Sequence, residues 1–300
     1  MLFRKFFDKN VHTSLYSNRT RLTDILISFS VIFSEHCSFP GNQSCLLSRF
    51  LFIFSWIGEE SRIGNSPGLT VRPRKNLTEL FDSNLDLIHF FRNSRKDKKH
   101  EPGWERWSND ISKFLSHYNN TDNGLNFKKF HLSLLGPCAK EPFGYDSGMP
   151  CAYLKLNKIY NVNNVPYNNI SDLPDDMPKS IKGRIEYAKD KDQVWIECSG
   201  KNSKDVKNIG RVSYYPSTQG FPNLYFPYLK QANYHSPLVA MQFENPKYNE
   251  IIKIHCRVWA KNIQYDRKLK LGFCDFRLLI NDYDEIRVKN EMNNIVLYKV

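Results

Sequence analysis

Seven cysteines are the residues of this chain best suited to covalent chemistry: Cys37, Cys45, Cys138, Cys151, Cys198, Cys256 and Cys274. Thiols pair as disulfides, hold soft metals or act as nucleophiles, and their spacing helps sort these uses. No two stand in a CxxC pattern, which argues against a zinc ribbon or a dithiol redox motif. His36, Cys37 and Cys45 lie close in sequence, but no fourth ligand completes a tetrahedral zinc site. No metal or cofactor is expected. Nor is an enzyme: no Ser/His/Asp set, paired carboxylates or phosphate-cradling glycine loop stands out, and His255 would have to meet scattered carboxylates in space.

Disulfide chemistry fits better. Between Cys138 and Cys151 lie Pro, Gly, Tyr and Asp but almost no aliphatic residue, so the loop looks unable to pack itself and a covalent closure is an economical way to hold it. A bridge there is worth about 3 kcal/mol in the chain-entropy picture; one from Cys198 to Cys256, closing about 59 residues, is worth roughly 4 kcal/mol. Seven cysteines allow many connectivities, and buried free thiols are the alternative. N-glycosylation sequons stand at Asn18, Asn42, Asn76, Asn119 and Asn169. Several sequons together with pairable cysteines point to an oxidising, extracytoplasmic compartment.

The elements that must carry these residues are mostly strands. The chain has 300 residues with 21 Phe, 16 Tyr and 5 Trp, and many Val, Ile, Asn and Ser, a strand-and-turn composition. Val194, Ile196 and Cys198 share one face of "QVWIEC" (193–198). In "IIKIHCRVWA" (251–260), Ile252, Ile254, Cys256 and Val258 face one way, and Lys253, His255, Arg257 and Trp259 the other. Segments 127–135, 152–159, 237–243 and 271–280 also read as strands. Before them, Ile111, Phe114, Leu115 and Tyr118 mark a helix over 108–118, with Ser108 or Asn109 as its cap. Residues 77–91 have mixed periodicity, and Pro67-Gly68 with Pro73 mark an extended linker. Strand after strand with no βαβ rhythm predicts an antiparallel β-sandwich.

The net charge of +12 is spread along the chain, and its densest run (Arg92, Arg95, Lys96, Lys98, Lys99) reads as a solvated connector. No nucleic-acid signature accompanies it, so no nucleic-acid partner is expected. Residues 1–21 are basic, and two apolar runs follow at 25–33 and 45–58. A spanning helix needs about 20 mainly apolar residues. Glu35, Pro40, Gly41 and Asn42 separate the runs and Arg49 interrupts the second, so the region reads as membrane-seeking but atypical. The basic residues before the first run favour a cytoplasmic N-terminus.

Four ordered segments then resemble one family. "LLGPCAKEPFGYDSGMPCAYLKLNKIYNV" is similar to the "LGxC…GYxxGxPCxxxKLNKI" segment of the Na+/K+-transporting ATPase beta subunit family. "NSPGLTVRP" (65–73), "VWIECSGKN" with "GFPNLYFPYLK" (220–230), and "SPLVAMQF…IIKIHCRVWAKNIQYDRKLKLGFCDFRL" resemble its other motifs, so the likeness covers roughly 65–282. The resemblance implies a non-catalytic, single-pass type II glycoprotein of the plasma membrane. Its extracellular part is an immunoglobulin-like antiparallel β-sandwich with an added helix. Its partner is the catalytic alpha subunit of a P-type cation ATPase, whose folding, surface delivery and transport it assists. It also implies disulfides Cys138–Cys151 and Cys198–Cys256, and an alpha-subunit contact at Tyr225, Phe226, Pro227 and Tyr228, with Asn76, Asn119 and Asn169 as glycosylation candidates.

The chain then divides into a basic cytoplasmic tail (1–21), an atypical membrane-anchor region (22–58), a membrane-proximal linker and helix (59–125), the sandwich (126–282) and a C-terminal tail (283–300). There are departures from the family pattern. Lys128 stands where the family's first disulfide would have a cysteine, Cys274 is extra and expected free on a strand, and the apolar span is interrupted. The alternative reading is a diverged cell-surface or secreted interaction protein that no longer serves a pump.

Overall fold

A computed structural model describes residues 66–74, 86–92, 103–118, 129–231 and 234–284. The expectations for the N-terminal tail and anchor, for Cys37, Cys45, Asn18, Asn42, Asn76, Asn119 and Lys128, and for the tail beyond 284 lie outside these residues. Among the described residues no helix is long and apolar enough to cross a membrane.

Nine strands make two sheets. β1 (Leu69–Arg72), β3 (Cys151–Leu156), β7 (Leu238–Glu244) and β5 (Arg211–Tyr215) form one, in that spatial order. The other runs β2 (Leu87–Phe91), β9 (Phe273–Asn281), β8 (Ile252–Trp259), β4 (Gln193–Gly200) and β6 (Gly220–Pro222). Every ladder is antiparallel except that of β2, which runs parallel to β9. The expected antiparallel sandwich is therefore present, with one parallel edge.

Period-two alternation builds the core between the sheets. Leu154 pairs with Val239 and Ala152 with Met241 on the four-stranded sheet. Ile252, Ile254, Cys256 and Val258 are buried on β8, as their phase predicts. Met241 Sδ lies 3.9 Å from Cys256 Sγ, and Phe243 meets Phe276 with ring centroids 6.3 Å apart, so the two inner faces interlock.

The outer faces are covered as well. Tyr153 points away from the sandwich interior yet is fully buried. Phe114 and Phe143 meet its ring edge-on, and its hydroxyl donates to the Cys138 carbonyl at 2.7 Å. Phe114 belongs to α1 (Glu105–Ser116). This helix begins one turn earlier than its predicted cap: Ser108 is buried inside it, because Trp107 extends the buried stripe of Ile111, Leu115 and Tyr118. Trp107 Nε1 donates to the His89 carbonyl of β2 at 2.7 Å, tying helix to sheet edge.

On the five-stranded sheet, Trp195 and Trp259 point outward and are buried under α2 (Lys179–Tyr187), whose Ile181 and Ile185 complete a second small core with Met177. Trp259 thus lies on the predicted side of β8, but under a helix rather than in solvent.

Three further readings are corrected. Segment 127–135 is not a strand where described: Leu132–Ala139 forms 3-10 turns kinked at Gly136, where φ is 54° and Pro137 cannot donate to a ladder. Residues 69–72, read as linker, are β1. Residues 87–91, in the stretch of mixed periodicity, are β2. Both strands enter the sheets, so the sandwich takes residues from the 59–125 linker segment.

Candidate functional site

The cysteine framework sets the frame. Cys138 and Cys151 are bridged, with Cα atoms 5.8 Å apart. The loop between them does pack, against expectation: Phe143 and Tyr145 are buried, and Tyr145 lies 5.0 Å from the Phe90 ring and donates to the Cys151 carbonyl at 3.2 Å. Burial pushes the Tyr145 hydroxyl well above the usual phenol range. Two glycines make the turn feasible. Gly144 and Gly148 have φ of 75° and 74°, and a Cβ on Gly144 would fall 2.0 Å from the Met149 carbonyl oxygen.

Cys198 and Cys256 are bridged within one sheet, as direct partners on β4 and β8 with Cα atoms 4.0 Å apart. Cys274 is Cys256's partner on the other side, on β9, and its thiol is free. The ladder explains the choice. Val258 N–H donates to the Gly272 carbonyl, so the N–H groups of the even-numbered β8 residues point at β9. Cys256–Cys274 is then a hydrogen-bonded pair, and Cys198–Cys256 the closer, non-hydrogen-bonded one. Burial pushes the thiol of half-buried Cys274 far up, which keeps it protonated.

The register also aligns Ser199, His255 and Asp275 across β4, β8 and β9. His255 Nδ1 lies 2.6 Å from Asp275 Oδ1, and Lys201 Nζ lies 2.8 Å from the same carboxylate. Burial works to raise the Asp275 pKa, but the hydrogen bonds from Lys201 and His255 prevail and hold it below the usual range. Among the described residues no hydrogen bond joins Ser199 to His255, so the nucleophile–base contact of a triad is missing. These residues also form no group fit to hold a metal ion.

What remains is a surface of aromatic rings. The segment Tyr225–Tyr228 follows β6 and a short 3-10 turn at Asn223–Tyr225. Asn223 anchors it: its side-chain amide donates to Asp192 Oδ1 at 2.7 Å and to the Asn164 carbonyl at 3.1 Å. Tyr225 turns inward, edge-on to Phe130 at 5.6 Å, and Phe226 packs against the core beside it. Tyr228 turns the other way. Its carbonyl accepts from Asn161 N–H at 2.9 Å, and its ring lies 5.0 Å from that of Tyr234. Lys158 Nζ sits 5.2 Å from the Tyr228 ring centroid and 5.1 Å from that of Tyr234, and donates to the Tyr234 carbonyl at 3.0 Å. Lys230 lies over Tyr160 at 5.5 Å. Burial pushes the Tyr234 hydroxyl up to about 12 and pulls the Lys158 ammonium down.

Leu224 and Leu229 flank this shelf and are 44% and 43% exposed. The cavity beneath, lined by Pro67, Leu156, Phe226 and Tyr228 among others, holds only about 10 Å³, too little for a small-molecule substrate. The four-residue segment is thus split by its contacts: Tyr225 and Phe226 pack on the core, and half-buried Tyr228 packs with Tyr234 and Lys158 beside the exposed Leu224 and Leu229. Sequence reasoning missed Lys158, Tyr160 and Tyr234. The two lysines and the tyrosine of "KLNKIY" were a signal, but nothing local brings Tyr228 to Lys158. Of the sequons, only Asn169 lies in the described residues; it is exposed, just before a 3-10 turn at Ile170–Asp172.

Comparison with known proteins agrees with the motifs. The family profile described as Sodium / potassium ATPase beta chain matches residues 122–276. The chain is 35% identical over 250 residues to Sodium/potassium-transporting ATPase subunit beta-2 of Drosophila melanogaster, covering 75% of this chain and 74% of the relative. It is 36% identical over 247 residues to subunit beta-1 of the same organism, with the same two shares. The human subunit beta-2 is 28% identical over 239 residues, 72% of each chain.

Proposed function

The chain belongs to the sodium/potassium ATPase beta chain family, and from that premise we propose that it is the non-catalytic beta subunit of a P-type Na+/K+-exchanging ATPase. It assists folding, surface delivery and cation transport of a catalytic alpha subunit. The chain is anchored once in the plasma membrane, type II, with the sandwich outside the cell. Two disulfides and an exposed sequon at Asn169 suit that side of the membrane.

The observation that carries the reading is the aromatic shelf. Tyr228, Tyr234 and the exposed Leu224 and Leu229 offer amphipathic and apolar area on the connection between β6 and β7, with little room beneath for a small ligand. Such residues make strong interface anchors once a partner excludes water. The contact with the alpha subunit is made through Tyr228, with Tyr225, Phe226 and Pro227 holding it in place.

Co-purification tests this. Full-length chain, expressed with an alpha subunit and extracted in mild detergent, is expected to retain it, and Tyr228→Ala to lose most of it without lowering the melting temperature. A well-expressed chain that retains no alpha subunit would instead fit a diverged cell-surface protein that no longer serves a pump.

A further inference from the structure

Beside the shelf, three half-buried cations lie together. Arg72 on β1 pairs in register with Tyr153, and Lys155, two residues along β3 on the same face, pairs with Thr70. The two cations are diagonal neighbours on the outer face of the four-stranded sheet, within reach of one another for long side chains. Lys158 continues the same strand exit and holds Tyr228 and Tyr234. Tyr118 closes the group from α1's end: its hydroxyl donates to the Ser236 carbonyl at 3.0 Å and its ring lies 4.9 Å from that of His235.

Among the described residues, none of the three cations is in an ion pair. Nor, among the described residues, does a carboxylate count among the groups that shift them. Burial comes first in pulling Arg72 and Lys155 down, and neighbouring cations add to it: Arg74 for Arg72, and Arg72 with Lys158 for Lys155. Partly buried charges that repel one another cost stability, and a fold retains them cheaply only if something outside it neutralises them.

We propose that Arg72, Lys155 and Lys158 form a receptor for a carboxylate-bearing extracellular segment of the alpha subunit. This rests on the reading of the shelf as the alpha contact, since Lys158 belongs to both. A carboxylate peptide suits the site better than a membrane surface. The cationic heads sit among tyrosine rings, where single side chains reach, and a planar headgroup layer favours cations that are fully exposed.

The test uses the full-length chain expressed with an alpha subunit and purified in mild detergent. Arg72→Gln with Lys155→Met is expected to lower alpha retention about tenfold or more. Retention by the unaltered chain should fall as salt rises. The melting temperature of the double variant should hold or rise, because like charges have been removed. A merely structural role predicts the opposite, a lower melting temperature with retention unchanged, and overturns the proposal. Unchanged retention in the double variant while Tyr228→Ala loses the alpha subunit also overturns it but leaves the shelf reading standing. Unchanged retention in both variants removes both. If the double variant keeps its alpha subunit and loses only binding to phosphatidylserine vesicles, the site is a lipid site and the proposal fails.

Discussion

The two outer faces of the sandwich manage charge differently. On the five-stranded sheet cations come with acids: Lys201 and His255 with Asp275, Arg257 with Asp176, and Lys261 with Asp172. On the four-stranded sheet, Arg211 of β5 pairs with Glu244 of β7, but around β1 and β3 Arg72, Lys155 and Lys158 gather around tyrosines, and among the described residues none of these three is paired with an acid. Both faces are partly roofed, one by α2 over Trp195 and Trp259, the other by α1 and the Cys138–Cys151 loop over Tyr153. Packing therefore does not distinguish them. A face whose charges are satisfied internally needs no partner, whereas one that keeps half-buried cations unpaired is incomplete alone.

The largest expected effect probes what the faces share. Tyr153→Ala removes a fully buried ring and its hydrogen bond, and Trp195→Ala empties the small core opposite. Each should cost about 3–5 kcal/mol, read by chemical denaturation. A much smaller loss at either site would show that its roof is not part of the fold's stability. Next come the disulfides. Replacing Cys198 and Cys256 by serine should cost roughly 4 kcal/mol, and replacing Cys138 and Cys151 about 3 kcal/mol, by the same measurement. Because Phe143 and Tyr145 are buried, with Tyr145 packed on Phe90, the reduced Cys138–Cys151 loop should stay protected in hydrogen exchange.

The smallest effects separate the faces by sign. Asp275→Asn breaks a paired cluster and should destabilise by under about 1 kcal/mol, since the group is half-exposed and water screens the pairing. Lys155→Met relieves repulsion and should be neutral or stabilising. Acid acts on the first face in the same sense. Asp275 has a folded pKa held below its unfolded one, so its contribution is complete above the ordinary carboxylate range near pH 4 and fades as pH falls through the lower folded value. Acid titration of stability for the parent and Asp275→Asn should converge at low pH. A difference that grows there would contradict the assignment.

How far the sequence reaches follows from how local each signal is. The alternation of β8 put Cys256 inward and His255 outward without any other knowledge, because period two is a property of one strand. β2 was not legible: its ladder partner, β9, lies at the far end of the chain, and a short edge strand has weak alternation of its own. Segment 127–135 looked like a strand by its alternating leucines, but Gly136 and Pro137 impose a kink that hydrophobic pattern does not register. Trp259 was placed on the correct face, but two isoleucines on a nine-residue helix gave no hint of the roof over it. The family motifs pointed to Tyr225–Tyr228. They did not separate the two residues that fasten the segment from the one that is presented. They contained Arg72, Lys155 and Lys158 but gave them no role, and they did not include Tyr234, which meets the segment only in space.

The central claim is that the Tyr228 shelf is a surface completed by an alpha subunit, not a patch of core packing. Hydrogen exchange on the full-length chain, alone and in detergent complex with an alpha subunit, tests it most directly. The account predicts that peptides covering residues 223–231 and 155–160 gain protection in the complex while those covering Asp275 and Lys201 do not change. Equal exchange of 223–231 in both states, with the complex intact, would contradict it.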